Sequence, residues 1–550
     1  MSDPLAVRIA AELGVATAQV ARTLALLDDG NTIPFIARYR KEVTGGLDEV
    51  PIAAIGARAA GLRAVEERRA EIVRLIAEQG KLTEDLAAAI ARAETLAELD
   101  DLYLPYRPKR RTRAMIARER GLEPLAEAIL TQARQSRQAL ASHYVDTSRE
   151  VPTTEDALAG ARDIVAEVIA EDAEVRGELR AHFTATGMLS ARVAHPEQDA
   201  ARTYAHYYEF SEPLAGAPPH RILAINRGER EGVLKVGVEI PDQLATGAIA
   251  RFYTVDDRSP LAGDLRKAAA DSYARLLAPS LEREMRAELT ARAERHAIDV
   301  FALNLRPLLL QPPLRGRTVI GIDPGFRTGC KVAVVDETGR LLAGTTIYPH
   351  APRQQWAQAK ATLQELAQRH GATIFAIGNG TAGRESEALI AELIAETGGD
   401  LSYAVVDESG ASVYSVSEVA REEFPSLEAT ERGVVSIARR LQDPLAELVK
   451  IEPQAVGVGL YQHDVNQKEL ADTLDRVVES AVTFAGVDLN TASIQLLSRV
   501  AGLNRKVAAA IVRYREQHGK FRARQDLLKV PGLGPRTFQQ VAGFLKIPGG

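Results

Sequence analysis

Between Arg306 and Arg317 the chain carries Pro307, Pro312, Pro313 and Gly316, and its hydrophobic period changes there. Before this point apolar residues mostly recur at three- and four-residue steps, as in Val7, Ala10 and Leu13, then Val20, Leu24 and Leu27. After it come short apolar runs of strand length: "RTVIGID", "KVAVVD" and "LLAGTTIYP". A chain of 550 residues with both textures needs several cores, roughly three to five at 100 to 200 residues each. Aromatics are only 5%, so those cores are built from Ala, Leu, Ile and Val, which favours helices. No apolar run is long enough to span a membrane. Met1-Ser2-Asp3-Pro4 opens no signal peptide. A single cysteine, Cys330, excludes disulfide frameworks and Cys-rich zinc sites and fits a reducing, cytoplasmic setting.

Four regions are expected. Residues 1–200 read as helices, with a stop at Asp28-Asp29-Gly30-Asn31. Residues 201–316 contain "RILAINRGEREGVLKVGVEI", Arg221 to Ile240, whose alternation around Arg227-Gly228-Glu229 predicts a β-hairpin. A long charged bridging helix, Asp264 to Phe301, follows it. Residues 317–450 read βββαβαβα, an open mixed sheet with an antiparallel start. Residues 451–550 return to helix. The fold class expected is multidomain and mainly α, with one α/β domain. No repeat of solenoid type is visible.

Charge is uneven. From Arg499 to Gly550 there are 11 Lys/Arg and 2 Asp/Glu, a balance of +9, so the rest sums to −15 within a total of −6. That basic stretch carries one pattern twice. Gly502-Leu503-Asn504 leads into a helix through Ala508, Ile511 and Val512, and Gly532-Leu533-Gly534 leads into one through Phe538, Val541 and Ala542. Such glycine turns permit positive φ. They present backbone N–H groups and a helix N-terminus to a phosphate oxygen. Arg505, Lys506, Arg524, Lys529 and Arg536 supply the positive surroundings. The segment resembles a tandem helix-hairpin-helix domain, which implies phosphate-backbone binding without base readout. The plain alternative is an αα-hairpin with glycine caps.

A second constellation is acidic. Asp323 ends "VIGIDPG", Asp407-Glu408 end "YAVV", and Asp443 stands in "RRLQDPLAELVKI". Carboxylates converging at strand ends can hold Mg²⁺ or Mn²⁺, which prefer oxygen ligands. Two such ions about 4 Å apart would drive phosphodiester hydrolysis. The βββαβαβα order with "GIDPG" resembles the RNase H superfamily in its YqgF/RuvC-like branch. That resemblance implies catalytic and metal-binding roles for Asp323, Glu408 and Asp443. Asp407-Glu408-Ser409 lacks the branch's arginine, and Asn379 stands where resolvases of this kind carry an acid. The site therefore reads as retired or dormant, with no certain cofactor. The plain alternatives are a turn cap for Asp323 and a helix N-cap before Pro444 for Asp443.

"LYLPYRPKRRTRAMIARER", Leu102 to Arg120, has 7 Lys/Arg and one Glu. It reads equally as a nucleic-acid contact, with Tyr103 and Tyr106 stacking on bases, or as a connection paired with acidic helices. Trp356 reads as packing and Cys330 as structural. Taken together, "GNTIPFIARYRKEVTGGLDE", "LDDLYLPYRPKRRTRA", "GIDPGFRTGCKVAVVD" and "GVGLYQHDVNQKEL" resemble the Tex family of bacterial transcription accessory proteins, over nearly the entire chain. The resemblance implies helix-turn-helix elements in the N-terminal region and a layout similar to a eukaryotic elongation factor that binds histones and RNA polymerase. It implies RNA and/or DNA as partners, with RNA polymerase or ribosome-associated transcription machinery beside them, and no membrane. It also implies an OB-fold RNA-binding domain after Lys546, where this chain stops at Gly550. A fragment, or a protein lacking that module, is expected. Three readings follow: a non-enzymatic nucleic-acid-binding scaffold, a metal-dependent nuclease or resolvase, and a protein-interaction platform.

Overall fold

The computed structural model describes residues 3–108, 111–397 and 400–547. The chain divides into two compact units, one of residues 56–296 and one of residues 1–55 with 297–550. Both borders fall inside long helices, Glu49–Glu78 and Ala278–Leu309, rather than in loops. Among the described residues, no single helix is long and apolar enough to cross a membrane.

The unit of residues 56–296 is built around the helix Thr154–Glu171. Its Leu158, Ala161, Ile164 and Val165 are fully buried at helical spacing. Arginines converging on the buried Asp101 and Asp264 tie its helices together. Arg176 and Arg180 reach Asp101 at 2.5 and 2.7 Å, and Arg137 and Arg162 reach Asp264 at 2.7 Å. A three-stranded antiparallel sheet runs β2-β1-β3, with β1 Met188–Val193, β2 Glu209–Pro213 and β3 Leu234–Glu239.

The hairpin expected at Arg221–Ile240 is corrected here. Pro219–Arg230 is a helix, and only the second half forms a strand, β3. The apolar residues before Arg227 sit at Ile222, Leu223 and Ile225, all buried, and Pro218-Pro219 opens the helix. Helical and alternating readings coincide over so short a run, and tertiary packing chose the helix.

The basic stretch Leu102–Arg120 settles partly on the paired reading. Arg111 meets Glu119 at 3.0 Å, Arg118 meets Glu167 at 2.7 Å, and Arg120 pairs with Glu150. Tyr103 is a core residue rather than a stacking platform, 7% exposed and packed with Leu99 and Ile90. Lys109 and Arg110 lie outside the described residues.

In the other unit, a five-stranded sheet has the order β6-β5-β4-β7-β8. Its strands are β4 Val319–Asp323, β5 Cys330–Val335, β6 Leu341–Ile347, β7 Ile374–Gly378 and β8 Ser402–Val406. β4, β5 and β6 are antiparallel neighbours, while β7 and β8 run parallel to β4. Helices Trp356–His370 and Gly383–Thr397 pack one face on Ile320, Ile322 and Phe375, and Ala429–Gln442 packs the other on Val319 and Ala376. Cover on both faces explains why β4 reads as an unbroken apolar run.

C-terminal to it, the helices Gln467–Ala485, Arg505–His518 and Pro535–Val541 are closed by a short parallel pair, Val487–Asp488 (β9) with Leu545–Lys546 (β10). The segment "IPFIARY" docks on this region. Arg38 donates to the Thr483 carbonyl at 3.3 Å, and the Tyr39 and Phe544 rings lie 5.3 Å apart. Its distinctive wording is thus a packing surface.

Candidate functional site

Each glycine hairpin begins where the preceding turn has buried an apolar residue and the chain must reverse. Gly502 has φ +88° and Gly532 has φ +86°, backbone that L side chains rarely adopt. Leu503 and Leu533, the next residues, are buried and pin the turns from beneath. Gly502, Asn504, Gly532 and Gly534 are exposed. Gly534 has ordinary negative φ, −82°, and serves as the N-cap position of Pro535–Val541. Asn504 caps Arg505–His518, its side chain accepting from the Val507 N–H at 3.0 Å. The two hairpins pack on each other. A Cβ at Gly502 would stand 3.2 Å from Val541 Cγ1, and Val507 Cγ2 lies 4.0 Å from the same point at Gly532.

The surrounding cations fall into two groups. Arg505 and Lys506 are exposed, and among the described residues neither has an ion-pair partner. The others are engaged. Arg524 donates to the Leu545 carbonyl at 2.9 Å, Lys529 pairs with Asp526 at 2.7 Å, and Arg536 donates to the Asp29 carbonyl. Lys529 and the backbone N–H groups of Ala523 and Arg522 hold the Asp526 carboxyl down to about 2. The first hairpin is therefore the open one.

The acidic constellation is brought together only in part. Asp323 closes β4 and Glu408 follows the parallel β8, so both stand at the same end of the sheet. Burial, then the Glu408 charge, pushes the Asp323 carboxyl up to about 6. Glu408 lies over the end of β7. A Cβ at Gly378 would stand 2.4 Å from Glu408 Oε2 and 3.2 Å from Pro324 Cδ, so the missing side chain is what lets the carboxylate in. The Glu408 N–H donates to Asn379 Oδ1 at 3.1 Å, and among the described residues its buried Oε2 finds no partner.

Asp443 does not join them. The helix Ala429–Gln442 crosses the sheet with Gly433 beside Asp323, since a Cβ there would be 3.9 Å from Asp323 Oδ2. Its far end, Gln442, donates to the Arg317 carbonyl at 2.8 Å, at the start of β4. Asp443 is thus at the opposite end of the sheet. It caps the helix Pro444–Leu448 through the Ala446 N–H at 3.1 Å and pairs with Arg315 at 2.5 Å. The helix-cap alternative is the correct one. Glycine, not an acid, faces Asp323 from the last helix. Among the described residues, no group of three His, Cys, Asp or Glu side chains could hold a metal ion. The residues present do not fit a two-ion carboxylate centre.

Two features were missed in the sequence. Arg440 is 4% exposed and donates to the carbonyls of Asp407 and Ser409, both at 2.7 Å, bracing the loop that carries Glu408. Burial pushes its guanidinium down. Its spacing from Val434 and Ile437 on the buried stripe was the available signal. The run Gly378-Asn379-Gly380-Thr381-Ala382-Gly383, straight after β7 and opening a helix, has the G-x-G-x-x-G spacing of anion-binding loops. Here the Glu408 carboxylate already occupies it, with Oε1 1.8 Å from where a Gly380 Cβ would stand. A phosphate would meet both that bulk and that charge.

Known proteins match this layout closely. Four family descriptions fit in order: the Tex-like protein N-terminal domain over residues 3–77, the Tex central region over 132–301, the Tex protein YqgF-like domain over 317–442, and the helix-hairpin-helix motif over 482–546. "Protein tex" of Bordetella pertussis is 48% identical over 557 residues, 99% of this chain and 70% of that protein. The chain belongs to the Tex family. A Bacillus subtilis relative, "Uncharacterized protein YdcI", is 46% identical over 99% of the Tex chain described here and 76% of its own length. The human "S1 RNA-binding domain-containing protein 1" is 40% identical over 96% of this Tex chain and 54% of its own length. As a transcription accessory protein with YqgF-like and helix-hairpin-helix domains, this Tex protein carries exposed cations at the first hairpin and half-buried acids at its strand ends.

Proposed function

We propose that the chain binds nucleic acid as a non-catalytic scaffold in cytoplasmic transcription, gripping the sugar-phosphate backbone without reading sequence. The observation that supports this most directly is the first hairpin, Gly502 to Lys506. Among the described residues, the N–H groups of Gly502 and Asn504 have no intramolecular acceptor, and the Arg505 and Lys506 side chains beside them are unpaired. Oriented N–H groups at a helix start, next to two free cations, make a place for one phosphate and its neighbours. Gly532, Gly534, Arg524, Lys529 and Arg536 form a second, weaker contact whose cations must exchange internal partners for phosphate. The Asp323–Glu408 pair takes no part in this, and we read it as a dormant relic of a nuclease site. RNA polymerase and the ribosome-associated transcription machinery fit the reading as partners.

The test is a titration of the full chain against matched RNA and DNA strands and duplexes over a salt series. Affinity should fall log-linearly with salt, with a slope of roughly −0.7 to −0.9 per phosphate contact, and be unchanged by scrambling the sequence. A flat salt dependence, or affinity that follows sequence, would overturn the reading.

A further inference from the structure

We infer that the exposed ring of His518 is a stacking platform for an unpaired base of single-stranded nucleic acid. This rests on the phosphate-binding reading of the hairpins and adds what kind of strand they hold. Three aromatic rings stand nearly parallel at the C-terminal end of the helix Arg505–His518. Tyr514 and His518 are 4.2 Å apart at 15°, and Tyr514 and Phe521 are 5.3 Å apart at 26°. The run climbs from core to solvent: Phe521 is 3% exposed, Tyr514 is half-buried and His518 is exposed. Packing alone accounts for the first two rings. It does not require a third, parallel and open to water.

His518 is also oriented. Its Nδ1 lies 3.2 Å from the Tyr514 carbonyl, which fixes the ring against rotation. Gly519, at φ +83°, turns the chain away immediately afterwards and has no side chain to cover the ring. Lys520 and Arg522 follow, both exposed and, among the described residues, without an ion-pair partner. An aromatic face beside free cations is the arrangement by which sequence-tolerant proteins hold single strands, the base on the ring and the phosphates on the charges. The helix of 14 residues separates this platform from the first hairpin by roughly 20 Å at 1.5 Å per residue. A single strand that winds about a third of a turn around the helix over that span, the angle between Lys506 and His518, would meet both. A duplex would meet only the hairpins, because its bases are stacked inside it and must be unpaired before one is offered.

The experiment compares the full chain with His518→Leu, His518→Phe and the Arg505→Glu/Lys506→Glu double variant. Each is titrated with a single strand of roughly 16 nucleotides, long enough for such sites, as RNA and as DNA, and with a duplex of the same length. The single strand also carries an adenine analogue whose fluorescence falls on stacking. Leucine keeps the helix and its apolar cover but has no π face. His518→Leu should bind the single strand about five- to tenfold more weakly, the lower end of base–aromatic stacking, with duplex affinity unchanged and fluorescence quenching lost. His518→Phe should retain both. If His518→Leu binds and quenches like the parent while the double variant loses both substrates, the platform is wrong and the hairpin reading survives. If the double variant binds both substrates normally, the hairpin reading fails, and quenching that still depends on residue 518 would leave the platform standing. No binding by any form removes both.

Discussion

The two polar sites of this molecule dispose of their unsatisfied groups in opposite directions. At the strand ends the Glu408 carboxylate is drawn in over the glycines of the β7 turn, Asp323 lies beside Gly433, and Arg440 braces the loop from behind. At the hairpins the N–H groups of Gly502 and Asn504 face solvent with Arg505 and Lys506 free beside them. The first site bears a desolvation and charge cost that the Lys331 ammonium offsets only in part, and the second leaves donors waiting for an anion. A fold can thus keep the frame of a catalytic site while its binding capacity resides in another domain. Whether polar groups converge matters less than whether they remain open to a ligand.

The inward site breaks hardest at Arg440. Arg440→Ala would remove two hydrogen bonds from the half-buried Asp407 and Ser409 carbonyls and leave them without those partners beside Glu408. Orphaned groups of this kind cost about 1 to 3 kcal/mol each, offset partly by the desolvation that Arg440 itself suffers. We expect a net loss of about 3 kcal/mol, read as roughly 100-fold faster amide exchange in the peptide spanning Val406 to Gly410. Nucleic-acid affinity at the hairpins should not change. Unaltered exchange would mean that Arg440 is not what holds the acid loop closed.

Asp323→Asn sharpens the contrast from the other side. The folded carboxyl titrates near 6 against an ordinary 3.8. The folded state therefore binds the proton more tightly than the unfolded chain does. Its stabilising effect is complete below pH 3.8 and is lost as the pH rises through 6. Above that, the charged, desolvated carboxylate costs about 2 to 3 kcal/mol relative to a neutral isostere. Asp323→Asn should accordingly be more stable than the parent at neutral pH by up to that amount, with the difference shrinking as the pH falls through 6 and gone only below 3.8, in denaturant unfolding of the α/β domain. Equal stability at neutral pH would mean that the carboxylate is repaid by a partner.

Much of this was legible in the sequence because it depends on local chemistry. The glycine turns and the charge imbalance after Arg499 are written in adjacent residues, and the βββαβαβα order follows from run lengths. The parallel placement of β8, and with it the pairing of Glu408 with Asp323, was legible as a condition on topology that the sheet then met. What was not legible depended on direction or distant partners. Asp443 lies one residue past a helix whose axis runs back along β4, so its end of the sheet could be fixed only by knowing which way that helix crosses. Lys529 pairs locally, with Asp526 three residues before it, but the partner of Arg536 is set by packing and comes from Asp29, some five hundred residues away in sequence. The stretch at Arg221 to Ile240 was ambiguous because a buried helix and a strand offer the same apolar residues over one or two turns.

The smallest effect expected is at the outward site and separates shape from charge. Gly502→Ala leaves every cation in place but forces a Cβ onto backbone at φ +88°, 3.2 Å from Val541 Cγ1. A single non-glycine residue in this region costs about 1 to 2 kcal/mol, and the contact with Val541 means the turn yields rather than the helix beneath it. If oriented N–H groups hold the phosphate, this strain should weaken single strand and duplex alike by roughly fivefold, the equivalent of 1 kcal/mol. The salt slope should stay the same, because the number of charges meeting phosphate is unchanged. A variant that binds normally would reduce the hairpin to a scaffold for Arg505 and Lys506, and the contrast between the two sites would then be one of charge alone.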